Sequence, residues 1–466
     1  MFRRNKRMDN IKQLKHLFSR AGFGLQFEDL AQLGDTSAKH AVKELLTDTE
    51  PSIPLNILTE NPDYSGIMKG DILARKMFLH QQRQEEKDLN LAWINRMGTT
   101  ANPLEEKMTL FWHNHFACRS NVALFAQQLN NVQRTNALGN FRTLLVEVAK
   151  SPAMLQFLNN QQNHKGHPNE NFARELMELF TIGRGNYTEN DVKESARSFT
   201  GYGFNKDGMF INREFFHDEG EKTFMGKTGN YNGEDIMNAL LEKKETAHFI
   251  SNKLYKYLVN EIPDTGHVNE MTEVFYHANY EIKPLLEHVF TAAWFYDDKN
   301  IGSMIKSPVE FLVGLNRQFY ITYQRPEVLL KFQQVLGQVL FYPPNVAGWP
   351  GGRNWIDSSS LMYRLKIPSM VLNGGLIDFT GKTDPDDEAF IASVRNQQQF
   401  VNTKVQAQPD WEKFLQTIPK NKSNTEIAAF LLEPKLNNTL LNTVNQSTDV
   451  KSMVVAVVSS PEYQLC

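Results

Sequence analysis

The groups best able to do chemistry are packed most densely between Pro168 and Phe204, in PNENFARELMELFTIGRGNYTENDVKESARSFTGYGF. Proline fits the first turn of a helix and glycine ends one, so the spacing predicts a helix opened by Pro168 and stopped by Gly183. Phe172, Leu176, Leu179 and Phe180 form its apolar stripe, and the rest of its surface carries Glu170, Asn171, Arg174, Glu175 and Glu178. Arg174 lies four residues from Glu170 and from Glu178, within reach of either carboxylate on a regular helix. In a cleft such a set would supply Glu170 or Glu175 as acid or base and Arg174 as stabiliser of developing negative charge. In a packed hairpin the same groups would form a buried ionic network, with Glu175, Glu178 and Arg197 meeting between this helix and the next.

His113 and His115, in KMTLFWHNHFACR, are the candidates to assist proton transfer, since an imidazole titrates near neutrality. Two residues on a helix subtend about 200°, so the pair cannot face one metal while the helix is regular. The plainer reading makes one ring an interhelical hydrogen bond and points the other elsewhere. His164, His167 and Glu170 are spaced by threes, but Gly166 and Pro168 break the helix that would gather them as zinc ligands. No residue is assigned to a metal and no cofactor is predicted, a divalent metal being the weaker alternative. FYPPNVAGWPGGRNWI, from Phe341 to Ile356, is irregular; its Trp349, Trp355 and Arg353 suit a sugar or peptide groove, or simply a loop anchored by tryptophans. GKTGNYNG lacks the spacing of a phosphate-binding loop, and no GxSxG or HExxH occurs.

The elements that must position these groups are mostly helical. Residues 11 to 46 read as two helices around AGFG, Ile67 through Met97 as a long helix with a polar outer face, and Asn102 and Pro103 as the opening of the next. Ser151 and Pro152 restart a helix within Phe141 to Leu158, and Thr188 with Asp191 nearly matches a capping box ahead of a helix closed by Gly201. Between residues 208 and 226, turn signals at NKDG and DEG around β-favouring runs predict a small antiparallel ribbon. Ser307, Pro308 and Glu310 combine a cap, a first-turn proline and a capping-box acid. MVVAVVSS is a buried helix or an internal strand. The expected fold is mainly α, a multi-helix globular array with that ribbon. Residues 1–380 form the main body, with the ribbon inserted near 205–228, and residues 381–466 a C-terminal helical region packed on it.

The 466 residues are 41% hydrophobic and 22% charged with a formal net charge of −3, an ordinary globular balance that gives no reason to expect nucleic acid. MFRRNKRMDN is basic like the start of a signal peptide, but IKQLKHLFSRAG after it is amphipathic, so neither a cleavable signal nor a membrane span is read. Two cysteines, Cys118 and Cys466, are too few for a disulfide scaffold. The cytoplasm is the expected compartment, with export left open.

Taken together and in order, HLFSRAGFG, FWHNHFACR, the 168–204 stretch, KTFMGKTGNYNGEDI, IKSPVEFLVG and FYPPNVAGWPGGRNWI resemble one bacterial family of unknown function, the domain family numbered 1800. The resemblance runs nearly the length of the chain and is weakest between Gly381 and Val450. It points again to His113, His115, Asn169, Glu170, Asn171, Arg174, Glu175 and Trp349, and leaves His164 and His167 outside its motif. It also implies a companion protein resembling a sulfatase or phosphatase. The catalytic candidates are therefore His113, His115, Glu170, Arg174 and Glu175. The ligand candidates are Asn169, Asn171, Trp349, Arg353 and Trp355. The expected function is a scaffold or partner-binding protein, the alternative a hydrolase-like enzyme with a His/Glu/Arg cleft at the central hairpin.

Overall fold

The computed structural model describes residues 2–47, 52–59, 70–374 and 406–466, and side chains from Asp9 onward. Among them are 21 α-helices and three two-stranded antiparallel ribbons, so the fold is mainly α. The chain divides into two compact units. The first comprises Met1–Phe23, Asp35–Asn300 and Leu340–Pro350; the second comprises Gly24–Gly34, Ile301–Val339 and Gly351–Cys466. The boundary expected at residue 381 lies outside the described residues, as does most of the 397–409 loop.

Within the first unit the helices start where their sequences say. Pro103 occupies the first turn of Pro103–His115 with Glu105 and Glu106 beside it, where carboxylates favour the helix dipole. Ser151 caps Pro152–Phe157, and Thr188 and Asp191 complete a capping box on Glu189–Ser198. The core is aromatic: Trp112, Phe116, Phe141 and Phe180 are all at most 1% exposed, with ring centroids 5.2–6.3 Å apart in the contacting pairs. Burying side chains of this size contributes roughly 1.5–3 kcal/mol each. Below them Glu106 accepts from Trp93 Nε1 at 2.7 Å and from Arg134 at 2.8 and 3.2 Å, a buried charge fully satisfied by its partners.

Several local expectations need correction. The 11–46 stretch holds three helices, Phe2–Arg20, Phe27–Leu33 and Ala38–Leu46, because Gly34 takes φ 56° and Ser37 starts a new cap. The expected single ribbon is two: β1 (Tyr202–Phe204) pairs with β2 (Phe210–Asn212), and β3 (Lys222–Phe224) with β4 (Lys227–Gly229). NKDG does join the first pair, with Asn205 Oδ1 accepting from Asp207 and Met209 N–H. DEG joins no strands; the second turn is Met225–Gly226, both at positive φ as a tight hairpin requires. The long helix spans Ile72–Thr99, and its polar residues are not all outside: Gln82 and Asn90 are 4% and 2% exposed.

In the second unit Ser307 and Glu310 form the capping box of Pro308–Gln318. Phe311, Phe319, Phe332 and Phe414 lie in its core, where MVVAVVSS is resolved as part of a buried helix, Val450–Val458. Ala407–Gln408 pairs with Thr322–Tyr323. No helix of the described residues is long and apolar enough to cross a membrane.

Candidate functional site at the hairpin turn

The 168–204 stretch is a helical hairpin, but its first helix is irregular. The α-helix runs only over Asn171–Glu175, because Asn169 ties up the entry: its N–H donates to Asn163 Oδ1 at 2.9 Å and its Oδ1 accepts from Asn171 N–H at 3.0 Å. From Leu176 to Phe180 the helix widens into a π-turn. Thr181 Oγ1 donates to Leu176 O at 2.6 Å, and Gly183 at φ 77° donates its N–H to Met177 O at 2.9 Å. Single π-turns recur at functional sites, and helix ends leave carbonyls without intrahelical donors.

Two side chains take those carbonyls. His115 Nε2 lies 3.1 Å from Phe180 O, and since a carbonyl only accepts, that nitrogen carries the proton. Nδ1 is then an acceptor, and Lys253 Nζ donates to it at 3.2 Å and to Leu179 O at 3.0 Å. Burial, followed by the Lys253 charge, holds the His115 pKa well below its ordinary value, and burial lowers Lys253 to about 8. His113 serves a different segment. Its Nε2 accepts from Phe341 N–H at 3.1 Å, and burial lowers its pKa to about 3. Each histidine is 4% exposed. Between them Asn114 pairs with both backbone groups of Trp349, Oδ1 from N–H at 2.7 Å and Nδ2 to the carbonyl at 3.4 Å. Arg119 donates to Pro343 O and stacks 3.9 Å over the Tyr342 ring. The FWHNHFACR motif thus fastens Phe341–Trp349 on one side and the hairpin turn on the other.

The charged candidates lie elsewhere. Arg174 bonds Glu189 through both terminal guanidinium nitrogens at 2.8 Å and Glu170 at 3.2 Å, across the outside of the hairpin. Its side chain is 34% exposed, so the buried network expected around it is not there. Glu175, Glu178 and Arg197 do not meet either: Glu178 takes Arg184 and Tyr187, and Arg197 takes Glu194 and Asp218. Glu175 is half-buried, and burial followed by the neighbouring Glu178 raises its pKa. Among the described residues no hydrogen bond or ion pair joins His113 or His115 to Glu170, Arg174 or Glu175. Asn171 is exposed at the helix start. Trp349 and Trp355 are 5% and 7% exposed, so neither ring is offered as a stacking platform; Arg353, in the second unit, is exposed. His164 stacks on Phe216 at 4.2 Å, and no group of three metal-ligating side chains exists among the described residues.

What does open beside the hairpin turn is a polar cleft of about 680 Å³, within the usual size of ligand sites. Its lining includes Ile182 and Gly183 from the turn, Phe249 and Asn252 from Lys244–Leu258, and Asn269 and Thr272 from Thr265–His277. Gly183 is required there, because a Cβ would come within 2.9 Å of the Phe249 ring. Thr272 gives its hydroxyl proton to Val268 O at 2.7 Å and so accepts from His248 Nδ1 at 3.3 Å, and among the described residues no hydrogen bond reaches His248 Nε2. His248, Asn252 and Asn269 were missed in the sequence because nothing local distinguishes them; only the meeting of two helices with the turn makes them neighbours. Glu86 was missed too. It lies between Gln82, which accepts from Ala123 N–H, and Asn90, which donates to Leu340 O, and burial pushes its pKa up to about 8 against the pull of Arg119. The i, i+4 spacing of these three polar residues was the available signal.

The family model described as "Protein of unknown function (DUF1800)" matches residues 16–465. No curated protein and no solved structure matches the chain.

Proposed function

For this chain, which belongs to the DUF1800 family, we propose a partner-binding or scaffold role, the companion being a protein that resembles a sulfatase or phosphatase. The observation that supports this reading is how the motif residues are used. His113, Asn114, His115 and Arg119 are each committed to backbone groups, and the histidines have no route to a substrate at 4% exposure. A hydrolytic centre needs its acid, base and charge stabiliser around one accessible point, and these residues build rigidity instead. The test is a native pull-down with the tagged full chain, in which one protein of that hydrolase class is recovered in near-stoichiometric yield. Recovery of no partner under gentle conditions overturns the role.

One observation favours a second reading. His248 lines the cleft together with Arg184 and Glu245, a different His/Glu/Arg set beside the same hairpin. Turnover of an aryl sulfate or aryl phosphate ester that disappears in His248→Ala would establish it.

A further inference from the structure

We infer that the cleft beside the hairpin turn receives an extended polypeptide segment, captured through its backbone by the carboxamides of Asn252 and Asn269. The inference rests on the partner-binding reading and gives it a site. The starting point is how this protein already holds irregular chain. Asn114 pairs with both backbone groups of Trp349. On the Ala123–Thr135 helix, Asn131 does the same to Leu55, accepting its N–H at 2.7 Å and donating to its carbonyl at 3.1 Å. One turn away, Gln127 Oε1 accepts from Ile57 and Leu58 N–H at 2.8 and 3.0 Å, and its Nε2 donates to Leu58 O at 2.8 Å. The pairing works because a carboxamide presents one acceptor and one donor in a plane, the complement of a peptide unit.

In the cleft the same chemistry stands ready. Among the described residues no hydrogen bond reaches the carboxamides of Asn252 or Asn269, and His248 adds an acceptor for a further peptide N–H. The half-buried Phe249 ring supplies an apolar surface for one side chain of the guest. Of the charged lining, Lys244 pairs with Glu273 and Arg184 with Glu178. A sugar hydroxyl both donates and accepts, so a neutral oligosaccharide is the competing guest that the experiment must exclude.

The experiment selects random 12-residue displayed peptides on the full-length protein and measures their affinity for three forms. Peptides are expected to enrich, to lose at least tenfold in affinity with Asn252→Ala/Asn269→Ala, and to bind Glu287→Ala, outside the cleft lining, like wild type. Equal thermal midpoints of the three forms establish that the loss is local. The inference is overturned if no peptide enriches, if the enriched peptides ignore the double variant, or if maltotriose binds the cleft in their place. A pull-down partner retained by the double variant leaves the partner-binding role standing and removes only this site.

Discussion

Arg174 has two carboxylates in hand and none of the three groups is out of water: the side chains of Arg174, Glu170 and Glu189 are 34%, 37% and 69% exposed. Exposed pairs of this kind are worth about 0.2–1 kcal/mol, against roughly 3–5 for breaking a buried one. Arg174→Ala is therefore expected to cost no more than about 1 kcal/mol in a urea melt, and a loss of several kcal/mol would mean the network is buried after all. The sequence read the Glu170 partner correctly and the Glu178 partner wrongly, for one reason. Spacing of i, i+4 assumes about 3.6 residues per turn. The π-turn begins at Leu176, between Arg174 and Glu178, and carries Glu178 round to Arg184 and Tyr187. A widened turn leaves no mark in the composition of LMELF, so this part of the site was not legible.

Two histidines two residues apart point about 200° away from each other on a helix, and the Pro103–His115 helix uses that divergence: His113 holds Phe341 and His115 holds Phe180. The helix was readable from Asn102 and Pro103, and so was the divergence of the two rings. Which backbone each ring would hold was not, because the partner of His113 lies 228 residues on. The loop from Phe341 to Trp349 keeps its path through residues in left-handed conformations, Phe341 at φ 67° and Gly348 at φ 81°. At Gly348 a Cβ would fall 2.2 Å from Asn114 Oδ1 and 2.5 Å from Asn114 O, so the substitution meets backbone as well as side chain. Gly348→Ala is expected to destabilise by about 2–4 kcal/mol, combining left-handed strain with lost clamping. Limited proteolysis checks it: new cleavage between residues 341 and 350 is the expected result, and a wild-type digestion pattern contradicts the clamp.

Across the molecule, helical periodicity made the α class legible, because it is a local property of each segment. Which segments share a core is not local, and each of the two units draws on three separated stretches of chain. Burial of ionisable groups is equally invisible in sequence, and in the first unit it sets the response to pH. His16, His113 and His115 are at most 4% exposed and are held neutral, His16 by burial and then by Arg20. Their folded pKa values lie below the unfolded value, so below about pH 6.5 the unfolded chain takes up protons that the native state refuses. Stability from these groups is present above that pH and is lost as the pH falls toward their folded values. Glu86 acts in the opposite sense. Its pKa of about 8 makes the native state hold a proton that the unfolded carboxylate has already released, so it costs stability increasingly as pH rises from the ordinary carboxylate range to 8. Three histidines against one glutamate leave a net uptake of protons on unfolding between pH 6 and 5, so stability falls as the pH is lowered across that unit. Urea unfolding followed by the buried Trp93 and Trp112, both in this unit, measures it. Glu86→Gln keeps the neutral shape and removes the opposing group, so the variant is expected to gain about 2–3 kcal/mol at pH 7 and to lose stability more steeply than wild type below pH 6. A variant that is less stable at pH 7, or whose acid limb is unchanged, would show that the Glu86 carboxyl is ionised and paired in the native protein.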